Sequence, residues 1–340
     1  MNKTPTNELS YKLSKDNIAQ ERYKNPEDSR LLIAETKEII QFKDLISVTS
    51  EKAVFVLNKS TVRNVRLKTN KIDSGGKLEI FILNKISDYE CECLLKFSGK
   101  KTKGLEITTN IVKFKIIEKN NDTYKISTDI KVDTLIENYG ITPLPPYIED
   151  NVRKYEYYKT DFSSGGFSVA ASTAGLHFNN KMISKLEKQN KIIKYINLDI
   201  GIGTFKPIDT NFIEDHKVHN ENYFIKKNDY KEILKLKDDG YKIYAVGTTV
   251  LRTLETVINT KNYKGSTDLY IKPGYQFKLV DYLITNFHAP NSSLLSIVLS
   301  IYGKEWKELY MYAQTNKLKF LSFGDAVLFK IQWVILILKY

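Results

Sequence analysis

The chain has 340 residues, 42% of them hydrophobic, so it can bury a large core, and its length suggests about two domains. Its formal net charge of +12 favours a polyanionic partner such as a nucleic acid. With only 2 cysteines, we expect neither a disulfide framework nor a zinc site. The polar first ten residues do not have the pattern of a targeting leader, so we expect a cytoplasmic protein.

Short alternating segments extend from about residue 44 to residue 132. They include AVFVLN (53–58), KLEIFILN (77–84) and ECECLLKF (90–97), and they predict an antiparallel β unit, specifically a small barrel. Alternation places Cys91 and Cys93 on one face of their strand. GITPLPPYI (140–148) then ends this pattern, because its prolines fit neither a sheet interior nor a helix, and it marks a domain boundary.

Helical periodicity appears after this boundary. Met182, Ile183 and Leu186 have helical spacing behind a cap at Asn179 or Asn180, and a second helix is predicted between residues 228 and 240. The strands KYINLDI and YKIYAV follow these helices, which predicts an α/β layer structure with a partly parallel sheet. The apolar run IQWVILIL (331–338) is shorter than the about 20 residues that span a bilayer and is interpreted as an extra strand.

Polar residues follow a predicted strand in LITNFHAPNSSLL (283–295). Thr285, Asn286 and His288 lie between this strand and an apolar helix capped by Asn291, Ser292 or Ser293. Open α/β folds bind ligands at such strand ends, although Asn286 and His288 could instead satisfy the backbone of their own loop. In STAGLHF (172–178), Gly175 permits a close backbone approach, and His177 is either a core residue or a proton acceptor.

A glycine-containing segment, DIGIGTFKP (199–207), is a second potential ligand site. Gly201 and Gly203 leave room for a ligand, while Thr204 and Lys206 add a hydroxyl group and a cation. Pro207 stops the segment where a dinucleotide-binding motif would open a helix. His216 and His219 follow in HKVHNE, where we interpret them as solvated loop residues rather than metal ligands.

In AVGTTVLRTLE (245–255), a strand turns through Gly247 into a helix predicted to be capped by Thr248 or Thr249, which presents N–H groups to an anion. Arg252 lies near the start of this helix, where its charge opposes the helix dipole, so ligand or RNA contact is favoured. Asp281 is an acid seven residues before His288, and the two can pair only if the fold brings them together.

Eight ordered motifs resemble one family over essentially the whole chain. The family is the S-adenosylmethionine:tRNA ribosyltransferase-isomerase of queuosine biosynthesis. The motifs are SRLL (29–32), LPPYI (144–148), TAGLHF (173–178), GIGTFKP (201–207), AVGTT (245–249), PGYQFKLVD (273–281), LITNFH (283–288) and FGDA (323–326).

The resemblance implies transfer of the ribosyl part of S-adenosylmethionine onto the aminomethyl-deazaguanine at the wobble position of tRNA. Adenine and methionine leave, and epoxyqueuosine remains. S-adenosylmethionine is then a consumed co-substrate, and no cofactor or metal is expected. The partner is the anticodon loop, a single-stranded target that enters a pocket readily. The implied fold is an α/β domain with a layered mixed sheet (1–60 and 148–340), interrupted by a small antiparallel β-barrel insert domain (61–147). We expect a monomer.

Site residues are predicted within these motifs. His177, His288 and Asp281 are the predicted catalytic residues, with either histidine as the proton acceptor. Arg30 and Arg252 are the predicted RNA contacts. The predicted substrate-binding residues are Gly201, Gly203, Thr204, Lys206, Thr248, Thr249, Arg252, Thr285 and Asn286.

Five residues depart from the family pattern, namely Lys59, Asn64, Ser172, Asp199 and Val250. Lys59 replaces an acid and so reverses a charge. These departures leave open a tRNA-binding relative that has lost catalysis. A third reading, an S-adenosylmethionine methyltransferase, is disfavoured because no helix follows the glycines of GIGT.

Overall fold

The computed structural model describes residues 3–149, 156–201, 203 and 207–331. They form two compact units. The larger unit comprises the described residues of Met1–Thr61, Pro145–Gly166 and Ala171–Tyr340, and the smaller unit comprises Val62–Leu144 and Phe167–Ala170. The predicted ligand residues Thr204 and Lys206 lie outside the described residues, as does the apolar run after Ile331.

The strands of the described residues are numbered in chain order. They are β1 Arg30–Ile33, β2 Ile39–Gln41, β3 Ala53–Asn58, β4 Arg66–Asn70, β5 Lys77–Lys85, β6 Glu90–Lys96, β7 Glu106–Thr108, β8 Lys113–Asn120, β9 Thr123–Thr128, β10 Ile192–Leu198, β11 Glu221–Phe224, β12 Lys242–Val246, β13 Lys264–Thr267, β14 Tyr282–Asn286 and β15 Ala326–Lys330.

The helices are numbered in the same way. They are α1 Val132–Tyr139, α2 Asn180–Lys188, α3 Lys227–Asp238, α4 Thr248–Thr260, α5 Ser293–Tyr302 and α6 Trp306–Thr315. Within the described part of the chain, no helix is long and apolar enough to cross a membrane.

The larger unit contains a mixed sheet with the strand order β13-β11-β10-β3-β12-β14-β15-β1-β2. The central strands β10, β3, β12 and β14 pair in parallel, which confirms the predicted partly parallel sheet. Strand β15 runs antiparallel to β14 with Ala326 opposite Asn286, and β1 is parallel to β15. The carboxyl ends of the four parallel strands therefore share one edge with the amino ends of β15 and β1.

AVFVLN was predicted to belong to the antiparallel unit, and this prediction was wrong. It forms β3, which lies between β10 and β12 at the centre of the large sheet. All six of its residues are buried, because both faces of the sheet are covered. A short apolar run has the same sequence pattern in either setting, so periodicity alone could not separate the two.

Local capping explains where two of the helices begin. The Asn179 side chain accepts a hydrogen bond from the Met182 amide at 2.7 Å, and α2 buries Met182, Ile183 and Leu186 against the sheet, as predicted. Ser292 caps α5 by accepting from the Leu295 amide at 3.2 Å. Each large apolar side chain buried in this core contributes about 1.5–3 kcal/mol.

The smaller unit contains an antiparallel sheet with the strand order β4-β5-β6-β9-β8-β7. Burial alternates along its strands, and Cys91 and Cys93 are both buried free thiols on one face, as predicted. The sheet is curled, and residues just beyond its two edge strands contact each other. Lys71, just after β4, forms a bridge with Thr109, just after β7, and the Ile72 amide donates to the Thr108 carbonyl at 3.0 Å.

Candidate functional site

Several of the sequence motifs lie at the carboxyl edge of the parallel strands. Asn58 ends β3, Asn286 ends β14, and Thr248 follows β12. The amino ends of β1 and β15 bring SRLL and FGDA to the same edge. In sheets of this kind, ligands bind outside the carboxyl ends of the strands.

His177 lies in a 3-10 turn, Thr173–His177, and is buried. Its Nδ1 atom is 2.7 Å from Ser29 Oγ, and Asn286 Nδ2 lies 3.3 Å from its Nε2 atom. Because Ser29 Oγ donates to the Pro26 carbonyl, the hydrogen-bond network assigns the imidazole proton to Nδ1. Burial, assisted by the Arg22 cation, lowers the pKa of His177 to about 3, so the ring is neutral.

The surroundings of His177 are closed. The ring stacks on Phe42 at a centroid distance of 4.9 Å. The adjoining cavity, lined in part by Arg22, Tyr23 and Gly324, measures about 10 Å³. This is about the volume that one water molecule needs. We call His177, Ser29, Asn286 and Phe42 the His177 cluster. Its polar groups mainly form hydrogen bonds with one another.

Asn286 is the exception within this cluster. Its Nδ2 atom donates to His177 and, at 3.4 Å, to the Gly324 carbonyl. Its Oδ1 atom is buried and has no hydrogen-bond partner among the described residues. An unsatisfied buried oxygen costs about 1–3 kcal/mol, so it is a group for which a ligand donor would compensate.

His288 and Thr285 are paired with each other. Thr285 Oγ1 lies 3.1 Å from His288 Nε2, the His288 amide donates to Tyr310 Oη at 3.2 Å, and Tyr11 donates to the His288 carbonyl at 2.6 Å. Burial lowers the pKa of His288 to about 3. These contacts hold the loop after β14 in place.

Asp281 is not brought together with the histidines. It immediately precedes β14, at the opposite end of that strand from Asn286. Lys237 pairs with its carboxylate at 2.6 Å, and the Ile243 amide donates to the same oxygen at 2.8 Å. Asp281 therefore joins α3 and β12 at the far edge of the sheet, away from the two histidines with which it was predicted to act.

Gly247 makes the turn between β12 and α4. Its φ of 94° favours glycine, and a Cβ atom there would lie 3.2 Å from Ser172 Oγ. The prediction that Thr248 or Thr249 caps the helix was wrong, because Gly247 occupies the cap position and both threonines are already helical. Thr249 Oγ1 instead lies 3.3 Å from Ser172 Oγ, at the helix amino terminus where anions are favoured.

Arg252 has a structural partner that its sequence position did not reveal. Its guanidinium group forms a buried ion pair with Glu221, and its Nε atom donates to the Leu269 carbonyl at 2.9 Å. Glu221 also accepts from the Gly201 amide at 2.9 Å. The pair thus joins α4, β11 and the glycine segment.

A cavity of about 330 Å³ lies beside this pair. Its walls include Gly203, His216, Asp209, Tyr270 and Arg252, and we call it the Arg252 cavity. A Cβ atom on Gly203 would lie 2.2 Å from the His219 ring, so a larger residue there would displace His219. Burial lowers the pKa of His216, although Asp209 partly opposes this shift.

Several residues of these two regions were missed by the sequence analysis. Arg22 and Tyr23 border the His177 cluster, whereas Asp209, Asp215 and Tyr270 line the Arg252 cavity. None lies in a motif-like pattern, so no local signal could have identified them. His216 and His219, interpreted as solvated loop residues, also line the cavity. In the part of the chain that the structure describes, no three metal-binding side chains are grouped for an ion.

Arg30 has protein partners. Its guanidinium group donates to the Asn316 carbonyl just after α6 at 3.0 Å and pairs with Asp325 at 3.0 Å. Asp325 also accepts from Tyr23 Oη at 2.9 Å. These contacts attach β1 to FGDA and to α6. They use N–H donors of the Arg30 guanidinium group, which was predicted to contact RNA.

Four of the residues that depart from the family pattern are buried or form hydrogen bonds within the protein. The Asp199 carboxylate accepts from Ser60 Oγ, and Ser172 contacts Thr249. Val250 is fully buried in α4. The backbone amide of Lys59 donates to the Ile196 carbonyl at 2.9 Å.

The Arg252 cavity, of about 330 Å³, accompanies polar side chains at the carboxyl edge of parallel strands. This combination is typical of ligand-binding α/β proteins, a class that includes many enzymes. The sequence matches the family model described as queuosine biosynthesis protein over residues 6–329. The chain belongs to this family.

Its relatives cover nearly the whole chain. It is 37% identical to the S-adenosylmethionine:tRNA ribosyltransferase-isomerase of Halothermothrix orenii, covering 94% of this chain and 98% of the relative. It is 38% identical to the protein of the same name from Acetivibrio thermocellus, with the same coverage. Its structure is similar to the crystal structure of S-adenosylmethionine tRNA ribosyltransferase from Thermotoga maritima, with a TM-score of 0.53, 29% identity and coverage of 94% of this chain and 99% of that chain.

Proposed function

We propose that this chain transfers and isomerises the ribosyl group of S-adenosylmethionine onto the aminomethyl-deazaguanine at the tRNA wobble position. The products are epoxyqueuosine-tRNA, adenine and methionine. The observation that carries the proposal is that relatives with this enzyme name match almost end to end, at 37–38% identity. The convergence of the motifs on one sheet edge supports it.

We infer that S-adenosylmethionine occupies the Arg252 cavity. Its volume of about 330 Å³ lies within the usual range of small-molecule sites, about 300–1,000 Å³. Asp209 and Asp215 line it. Asp215 pairs with Lys3 at 2.6 Å, so the Asp209 carboxylate is the one that suits the positive sulfonium or amino group of the ligand. Gly203 and Arg252 were predicted to bind substrate and lie in its wall, whereas Thr285 and Asn286 remain proposed ligand holders at the sheet edge.

Catalysis begins with removal of a proton next to the sulfonium. Adenine is then expelled, the amine of the tRNA base attacks the sugar, and epoxide closure releases methionine. His177 and His288 remain sequence predictions for the proton acceptor, but their ring contacts within the protein compete with this role. We assign the step to His216, because its half-buried ring lines the cavity and burial favours the neutral, proton-accepting form.

The test is to incubate the purified protein with S-adenosylmethionine and precursor-bearing tRNA and to measure free adenine. Adenine release that requires the tRNA is expected. If no adenine forms above a blank although tRNA binds, the chain is instead a tRNA-binding relative without catalysis, an alternative motivated by the departures at Lys59, Asp199 and Val250. Methylated RNA without adenine would indicate a methyltransferase.

The finer features of the fold belong to the same proposal. We infer that the smaller unit is an inserted β-barrel domain, and the bridge between Lys71 and Thr109 supports closure of its sheet. A consumed co-substrate, no bound cofactor, a monomeric state and action in the cytoplasm remain predictions.

A further inference from the structure

The smaller unit has a cleft of about 710 Å³ that the proposed chemistry does not use. It lies along β4, β5 and β6, and Lys68, Lys77 and Lys96 are exposed along it. The lining also includes Leu78 and Phe97, both of which are buried. We call it the lysine cleft.

Strand register explains why these lysines share one face. Lys68 is opposite Glu79, and Glu79 is opposite Lys96 on the next strand. Lys77 is opposite Asn70 in the adjacent row. Because side chains alternate along a strand, this face is polar while Leu67, Leu78 and Leu95 point to the buried face.

The lysine cleft carries an excess of positive charge. Its one acidic residue, Glu79, pairs with Arg66 at 3.0 Å. Within the described residues, no ion pair is formed by Lys77 or Lys96. Nearby, the amines of Lys71 and Lys101 lie 4.2 Å and 4.6 Å from the centre of the Phe97 ring. Placing several lysines along one groove costs repulsion, which an anionic ligand would relieve.

Other lysines of the same sheet show that this excess is local. On β8 and β9, Lys115 pairs with Glu106 at 3.2 Å and Lys125 pairs with Glu90 at 3.1 Å. Lys113 lies 3.5 Å from Glu106 as well. Lysine richness alone therefore does not account for the lysine cleft.

We propose that the lysine cleft binds the phosphate backbone of the tRNA substrate. Lysine is a point charge suited to phosphate oxygens, and contacts of this kind position RNA without reading its bases. The inference rests on the proposed function for the identity of the RNA. It adds a second contact region, in the smaller unit, to the site at the sheet edge.

The experiment compares two triple variants of the full chain. One carries Lys68→Gln, Lys77→Gln and Lys96→Gln, and the matched control carries Lys113→Gln, Lys115→Gln and Lys125→Gln. Both remove the same charge from the same unit, and thermal unfolding checks that both fold. The affinity for precursor-bearing tRNA is measured at several salt concentrations.

The cleft variant should bind tRNA about tenfold more weakly at low salt, and the slope of log affinity against log salt should fall by about 2–3, one unit per lost phosphate contact. The control should change either quantity little. In turnover, the KM for tRNA should rise while the KM for S-adenosylmethionine stays the same. Equal losses in both variants, or no loss in the cleft variant, would overturn the inference.

Two further outcomes separate this inference from the proposed function. Selective loss of tRNA affinity in the cleft variant, together with no adenine release by the unsubstituted protein, would support the lysine cleft and reject the enzyme. If an acidic polyglutamate peptide binds as tightly as tRNA and loses affinity in the same variant, the cleft is a protein-binding surface and the RNA assignment is overturned.

Discussion

The His177 cluster and the Arg252 cavity are both rich in polar groups, but they differ in how those groups are satisfied. In the cluster, the two ring nitrogens of His177 contact Ser29 and Asn286, and the adjoining space measures about 10 Å³. The Arg252 cavity measures about 330 Å³, and His216 and Asp209 line it. The buried polar groups of the His177 cluster stabilise the sheet edge, whereas the open Arg252 cavity can bind a reactant.

The largest expected effect tests this contrast directly. His216→Gln should lower kcat by about 10²- to 10⁴-fold, the usual contribution of a general base, because the variant cannot accept the proton. The KM for S-adenosylmethionine should change little. Adenine release measured under saturating substrates checks the prediction. If His216→Gln keeps full turnover while His177→Gln, still folded, loses it, the two regions have the opposite roles.

The next effect concerns the stability of the cavity wall. Glu221→Ala should lower the free energy of unfolding by about 3–5 kcal/mol, because the Arg252 cation would remain buried without its partner. Urea unfolding measures this change. Lys3→Ala is the control, since its ion pair with Asp215 is exposed and should contribute at most about 1 kcal/mol. A loss below that level in Glu221→Ala would show that the pair is not buried in solution.

Acidification should act on the buried histidines. The folded-state pKa of His177 and His288 is about 3, below the value of about 6.5 in the unfolded chain, so the unfolded chain binds more protons between these values. The stability contribution is fully present above about pH 6.5 and is lost as the pH falls towards 3. Each histidine contributes a slope of up to about 1.4 kcal/mol per pH unit.

Unfolding free energies measured from pH 7 to pH 4 check this slope. His177→Gln and His288→Gln should each flatten it, and the double variant should flatten it most. An unchanged slope in the double variant would mean that both rings are already accessible to protons.

The smallest effect is expected from metal removal. Dialysis against a chelator should leave adenine release unchanged, because the proposed proton removal, adenine departure, amine attack and epoxide closure use no metal ion. Loss of activity that returns with a divalent cation would contradict the proposed metal-free chemistry.

Local signals identified much of the larger unit. The helical spacing behind Asn179 and the cap at Ser292 both correspond to observed contacts, since a cap bonds to an amide three residues away and needs no distant partner. The predicted strands KYINLDI and YKIYAV form β10 and β12. Such features depend on neighbours in the chain and can be recognised before the fold is known.

Pairings between distant residues could not be recognised in this way. Asp281 and His288 are close in sequence but flank a strand that rises about 3.3 Å per residue, which separates them. The sequence near Arg252 does not reveal its ion-pair partner. In the fold, β11 places Glu221, 31 positions away in the chain, beside it. The sequence predicted His216 to be a solvated loop residue, but in the structure it lines the Arg252 cavity.

The sequence by itself determined the family, the starts of α2 and α5, the alternating strands of the smaller unit and the set of motifs that meet at the sheet edge. These depend on periodicity, capping and ordered motifs, which are local or linear properties of the chain. Only the tertiary structure decided that β3 is a central parallel strand, that the His177 cluster is closed and that the Arg252 cavity is open. Burial and pairing depend on which distant segments pack together, and strand order in the sheet sets that packing.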